Sequence, residues 1–492
     1  MIEFLSSRSR RQTALRCARA RYLLDEAFGH GWEPVKLAVP LLTGGSVHKG
    51  LASLLIQSMG GLSLLDIDAA VYMAIKDYES RCTGRQLDLE QLESQSYVYN
   101  EQKALTEALV RLAGLRVVPK LLEQYEVLEV ERMDKAVLVQ NFTPQEAIEP
   151  DDASVFTVLF RSIPDALLRA RATGDLYVLS WKTTTEYDQR KDEAARVDMQ
   201  GLSEPWALER RLGSWWETLE RMEDASALPQ WFLDLWGTSP KGTPAPTVRG
   251  VQMVYLCKGA RRKMSKGQME AEGLSAEQIA AGGEMKKHAC PLIYGYKKES
   301  APGLSAPEFA TSADWHCSKP HPMRRSQWYP TGECSGDGRL HKRGDDWKSF
   351  PVWSSGGVKA WMDKLAAGEI SPEAGDALDQ SYAIPVPHFR TRESTAAWLR
   401  QTRAAERRNA QDLLFLRGFE EAIRENPNDS ELWETFQAHL DETFPQTTEK
   451  CGDWFHRRCP CFPICHEGVR DPVGSGLFQV KTQYEPSAEG GE

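Results

Sequence analysis

Residues 163–185 read IPDALLRARATGDLYVLSWKTTT, and the rest of the chain is arranged around them. Asp165 follows a proline, Gly174-Asp175 is a turn signal, and LYVLSWKTTT is a run rich in β-branched and aromatic residues. The stretch predicts a hairpin with Asp165 at the head of one strand and Lys182 in the next. A carboxylate and a lysine on adjacent strands can point at one spot. Metal-dependent phosphodiester cleavage needs that arrangement, because carboxylates hold a divalent cation against the phosphate while an ammonium orients water or offsets developing negative charge.

Working outward, YEVLEVERM (125–133), KAVLVQNF (135–142) and VFTVLF (155–160) read as short strands, and VQMVYLCKG (251–259) as another. Helical spacing marks Ser9 to Ala27, a segment after a Gly44-Gly45 turn, NEQKALTEALVRLAGL (100–115), and Asp192 to Trp216. The expected class is α/β, with a mixed central sheet and flanking helices, in residues 1–257. The opening helix interleaves Arg8, Arg10, Arg11, Arg16, Arg19 and Arg21 with apolar positions, which reads as a local basic patch.

Residues 258–358 change in composition toward Lys, Gly, Pro, Ser and His, with only PLIYGYK suggesting a strand, and read as a polar, basic insertion. Its Arg261, Arg262, Lys263, Lys286, Lys287 and nearby tryptophans suit either a single-strand contact surface or a solvated charged segment. Its His288, Cys290, His316, Cys317, His321, Cys334 and His341 lack the paired spacing of a zinc site. Residues 359–482 return to helix, with a segment from Glu393 to Arg424 and SELWETFQAHLDETF (430–444), and end in the cysteine loop CGDWFHRRCPCFPIC (451–465). Residues 483–492 read as a disordered tail.

Composition excludes several classes. With 60 Lys+Arg against 70 Asp+Glu, the net charge of −10 is not that of a polycation. Apolar runs end well short of the ~18 residues that span a bilayer, so no membrane role is expected. Arginines stand where a signal peptide would be apolar, and the chain reads as cytoplasmic. Ten cysteines in 492 residues are too few for a disulfide scaffold. The absence of GxxxxGK[ST] argues against an intrinsic helicase motor.

Further candidates are His48, in LTGGSVHKG, and Gln200, in DMQGLSEPWALERR. Singly, each has an ordinary structural reading as a helix cap, a turn former or a surface residue. In the order His48, Pro164-Asp165, Lys182, Gln200 they resemble the RecB-type branch of the PD-(D/E)XK nucleases. The cysteines are similar to those of the subgroup that includes AddB-type helicase-nucleases and CRISPR adaptation exonucleases. In that subgroup a [4Fe-4S] cluster takes one ligand before the core and three after it. The resemblance implies Cys17, Cys451, Cys459 and Cys465 as ligands, with His456 where the subgroup carries a Cys and Cys461 to spare. Zinc on the same thiolates is the competing reading. The run TFPQTTEKC (443–451) is similar to phage-encoded members, which implies a bacterial host cell.

The resemblance further implies Mg2+ or Mn2+ held by His48, Asp165 and an acid, and DNA, as single strands or duplex ends, as substrate. A separate helicase or recombination protein is the implied partner. One departure stands out: the third motif reads Ser180-Trp181-Lys182, and a hydroxyl is a poor ligand for a hard cation. Glu131 is the expected substitute, with Glu129 on the same strand; Glu186 and Asp175 fall at strand ends. Two other readings stay open, a nuclease-like fold that binds DNA or a partner without cutting, and a zinc-stapled interaction protein.

Overall fold

The computed structural model describes residues 2–59, 65–89, 95–142, 156–196, 198–221, 226–240, 243–259, 378–452 and 458–481, with shorter stretches between 261 and 369. The chain is mixed α/β. Eight strands carry the architecture: β1 (Ile2–Ser7), β2 (Trp32–Pro34), β3 (Tyr125–Val130), β4 (Asp134–Phe142), β5 (Phe156–Ser162), β6 (Ala166–Ala170), β7 (Leu176–Thr184) and β8 (Val248–Cys257).

They do not form one central sheet. The larger sheet runs β8-β7-β6-β3, and short strands Tyr382–Ala383 and His388–Phe389 pair on β8. Within it β3, β6 and β7 are antiparallel neighbours, while β7 and β8 are parallel. A parallel pair needs a long crossover, here containing helices Gln189–Arg196, Gln200–Glu220 and Gln230–Thr238. The smaller sheet runs β1-β5-β4, with β1 parallel to β5. Both links β3–β4 and β5–β6 cross from one sheet to the other. The crossings are tied together, since the Glu131 N–H donates to the Asp165 carbonyl at 3.1 Å.

β7 is apolar almost throughout because both its faces are covered. Tyr177, Leu179 and Trp181 pack with helices Val39–Met59, Ile67–Cys82 and Gln95–Leu112. Leu176 and Val178 face the Leu208, Leu212 and Trp216 side of helix Gln200–Glu220. The two-residue period therefore sends Ser180 and Lys182 toward that second helix.

Helix Val39–Met59 corrects the expected Gly44-Gly45 turn, because both glycines lie inside it. Close approach explains their presence. A Cβ on Gly44 would sit 3.2 Å from Thr183 Oγ1, and one on Gly45 would sit 2.9 Å from Arg81 Nη1. Gly50 repeats the device, since its Cβ would meet Val110 Cγ2 at 2.7 Å.

The opening helix is also corrected. It covers Arg8–Arg16, breaks at Cys17 and resumes over Ala18–Arg21 before a π turn. Its arginines are internal partners rather than a basic patch. Arg21 is 1% exposed and pairs with Glu406 at 2.8 Å, Arg11 meets the same carboxylate at 3.3 Å, and Arg10 meets Glu26 at 3.1 Å. Arg19 donates to the Phe444 carbonyl at 2.9 Å and pairs with Asp441. Glu406 belongs to the long helix Arg392–Glu425, which packs Trp398, Leu413 and Leu416 on the smaller sheet with Phe4 and Phe160. Strand Phe478–Val480 pairs antiparallel with β2.

Most of the insertion, including most of PLIYGYK and the cysteine and histidine side chains noted in it, lies outside the described residues, as do His456 and the tail.

Candidate active site

Asp165, Glu131, His48 and Lys182 meet at the seam between the sheets. Asp165 heads β6, and both its carboxylate oxygens are engaged: Oδ1 lies 2.8 Å from His48 Nδ1, and Oδ2 accepts the Trp181 N–H at 2.7 Å. His48 is carried in the interior of helix Val39–Met59 rather than at its start, where the glycine-lined face lets that helix close on β7. Burial opposes protonation of His48, but the Asp165 carboxylate outweighs it and raises the imidazole above its ordinary value. Burial likewise opposes ionisation of Asp165; His48, Lys182 and the Trp181 N–H outweigh it and hold the carboxyl below its ordinary value.

Lys182 and Ser180 share the other face of β7, and helix Gln200–Glu220 supplies one residue that reaches both. Gln200 accepts from Lys182 Nζ through Oε1 and donates from Nε2 to Ser180 Oγ at 2.6 Å. An amide does this because it has an acceptor and donors on one planar group. Burial, then Arg8, lowers the Lys182 pKa.

Glu131 and Glu129, expected to face one way, separate. A register shift between Val127 and Glu129 interrupts the alternation, and Glu131 lies past the end of β3 with a left-handed φ of 47°. Glu131 reaches the site, 3.9 Å from Lys49 Nζ, and burial raises its pKa against the pull of Lys49. Glu129 instead accepts from Arg211 at 2.5 and 3.0 Å and from Arg132 at 3.0 Å, with both guanidinium groups stacked on Trp215. It is a structural ion pair, which corrects its candidacy as the substitute acid.

Sequence reasoning missed Glu204. One helical turn after Gln200, it is 7% exposed, and burial pushes its pKa up to about 8 against the attraction of Lys182. Its Oε2 is buried without a hydrogen-bond partner. The i, i+4 spacing from Gln200 is the one signal that would have found it.

Among the described residues, no group of three or more His, Cys, Asp or Glu side chains is arranged to hold a metal ion. The donor chemistry nevertheless suits Mg2+ or Mn2+, since Asp165, Glu131 and Glu204 offer hard carboxyl oxygens, one of them the unpartnered Glu204 Oε2.

Cys17, Cys451, Cys459 and Cys461 are buried in one apolar cluster, with Cys465 packed against it. The Cys459 N–H donates to the Cys451 carbonyl at 2.8 Å, and the Cys465 N–H donates to Cys461 at 3.0 Å. Burial pushes the Cys465 thiol up to about 12, and a hydrogen bond with Cys461 draws Cys459 down to about 7. Five cysteines from residues 17 and 451–465 thus share one apolar cluster, and thiols are donors suited to soft metals, although no three of them are arranged around an ion. Cys461, 1% exposed, is as central as the other four. Compared with known proteins, the chain matches no family model and no curated protein sequence.

Proposed function

We propose that this chain is a divalent-metal-dependent DNA nuclease, acting as an exonuclease, with a [4Fe-4S] cluster between Cys17 and the Cys451–Cys465 loop. The observation that carries the reading is the meeting of Asp165, His48, Lys182 and Gln200, in which His48 and Asp165 are 117 residues apart in sequence. Mg2+ or Mn2+, when bound, supplies Lewis acidity and an activated water. Asp165, Glu131 and His48 would hold it. Lys182, steadied by Gln200, sets an ammonium beside the reacting phosphate, and the same amide fixes Ser180.

The substrate end is supported by a two-stranded ribbon in the insertion. Lys286 stands opposite Lys263, Lys287 opposite Arg262 and His288 opposite Arg261. Single-stranded DNA or duplex ends are the proposed substrate, and a separate helicase or recombination protein the proposed partner.

The test is cleavage of end-labelled DNA with Mn2+ by the wild type and Lys182→Ala. Loss of about 10²-fold or more, with an unchanged melting transition, is expected; normal turnover by a folded variant sinks the assignment. Ser180, occupied by Gln200, favours a second reading, a protein that binds DNA without metal and does not cut it. A colourless zinc protein inert toward DNA would favour the thiolate loop as a purely structural staple.

A further inference from the structure

The geometry points to Glu204 as the carboxylate ligand that takes the place of the acid missing at position 180. The inference rests on the metal-dependent reading above. Ser180 projects from β7 on the same face as Lys182 and is capped by Gln200. Glu204 lies one turn further along the helix that covers this face, so its side chain approaches from the helix side the space that an acid at 180 would approach from the strand side.

Beside Glu131, which reaches the site from past the end of β3, three neighbouring acids are committed elsewhere. Glu129 is held by Arg211 and Arg132. Asp198 pairs with Arg8 at 3.3 Å and accepts the Gln200 N–H at 2.7 Å. Asp77 accepts from Ser46 and Arg81 at 2.8 and 2.7 Å. Glu204 differs from all of them. It is more than nine-tenths buried, lies within electrostatic reach of Lys182 and Asp165 and beside Gln200, and keeps Oε2 without a hydrogen-bond partner among the described residues. A buried carboxylate oxygen left unpaired is costly in a purely structural role, where a glutamine or an apolar residue would fill the same volume. Coordination to a cation shared with Asp165 satisfies that oxygen.

The experiment is Mn2+ binding to the full-length protein, read by electron paramagnetic resonance and calorimetry with no DNA present. Four proteins are compared: wild type, Asp165→Asn, Glu204→Gln and the double variant Ser180→Asp/Glu204→Gln. Glu204→Gln preserves shape, and its melting transition is recorded beside each titration. Expected results are Mn2+ affinity at least about tenfold weaker in Glu204→Gln, with folding intact, and recovery in the double variant as the ligand returns to the strand. Wild-type affinity in Glu204→Gln alongside loss in Asp165→Asn overturns the inference and leaves the nuclease reading standing. Loss in Glu204→Gln without recovery in the double variant overturns the exchange of ligands. A wild type that takes up no Mn2+ and cuts no DNA overturns both.

Discussion

The Glu131 N–H donates to the Asp165 carbonyl at 3.1 Å, joining the two places where the chain passes between sheets. Each passage ends a strand, and each carries a carboxylate of the candidate site. The site is therefore built at a seam, where irregular backbone frees side chains from the alternation of a strand.

The separation of Glu129 from Glu131 gives contrasting expectations. Glu129→Gln breaks a buried ion pair and is expected to destabilise the fold by about 3 kcal/mol, seen in denaturant unfolding, because Arg211 is left partly unpaired. Glu131→Gln is expected to leave the unfolding curve within about 0.5 kcal/mol while weakening Mn2+ binding. Equal effects on stability would show that the two glutamates do the same job.

The His48–Asp165 pair sets a pH window. His48 has a folded value above the ordinary 6.5, so its contribution to stability is complete below 6.5 and is lost as pH rises through the folded value. Asp165 has a folded value below the ordinary 3.8, so its contribution is complete above 3.8 and is lost as pH falls through that folded value. The pair thus stabilises fully between 3.8 and 6.5, by about 1 kcal/mol given its partial exposure. Melting temperature against pH should show this window in the wild type and lose it in His48→Ala. Divalent-cation affinity, which requires neutral imidazole, should rise as pH passes above it.

Arg21 and Glu406 are both 1% exposed. Arg21→Ala leaves the Glu406 carboxylate to Arg11 alone, at 3.3 Å, and is expected to cost about 3 kcal/mol. A smaller loss in Arg21→Met/Glu406→Leu than in either single change would identify the stranded charge as the cause.

Anaerobically purified protein should be brown with about four irons, and Cys17→Ser should lower iron content and melting temperature together. Retention of full iron in Cys17→Ser would remove the N-terminal ligand from the proposal.

The legible parts of this fold are local ones. A proline before Asp165, a Gly-Asp turn and an apolar β run specify the 163–185 hairpin without reference to anything distant. Helix boundaries were readable to within a few residues wherever spacing was regular, as in Gln95–Leu112 and Arg392–Glu425. What stayed hidden depends on partners far along the chain. Nothing near Arg21 announces Glu406, so a buried arginine looks like a basic patch. Gly44-Gly45 looks like a turn until Thr183 and Arg81 are seen against it. The strained φ of Glu131 and the register shift before it, which decide which glutamate enters the site, follow from the sheet crossing and leave no compositional mark. Glu204 was hidden for a related reason: an acid on an amphipathic helix looks solvated until the strand beneath it is known.

The pairing of Arg21 with Glu406 also fixes an order of events during synthesis. Arg21 leaves the ribosome well before Glu406, its bidentate partner, which follows 385 residues later. The larger sheet needs no such wait to begin, because β3, β6, β7 and β8 are all made by residue 257. A nascent chain halted near residue 300 would therefore hold Arg11, Arg19 and Arg21 without their C-terminal partners beside a nearly complete sheet. That state ends when helix Arg392–Glu425 brings Glu406 to Arg11 and Arg21.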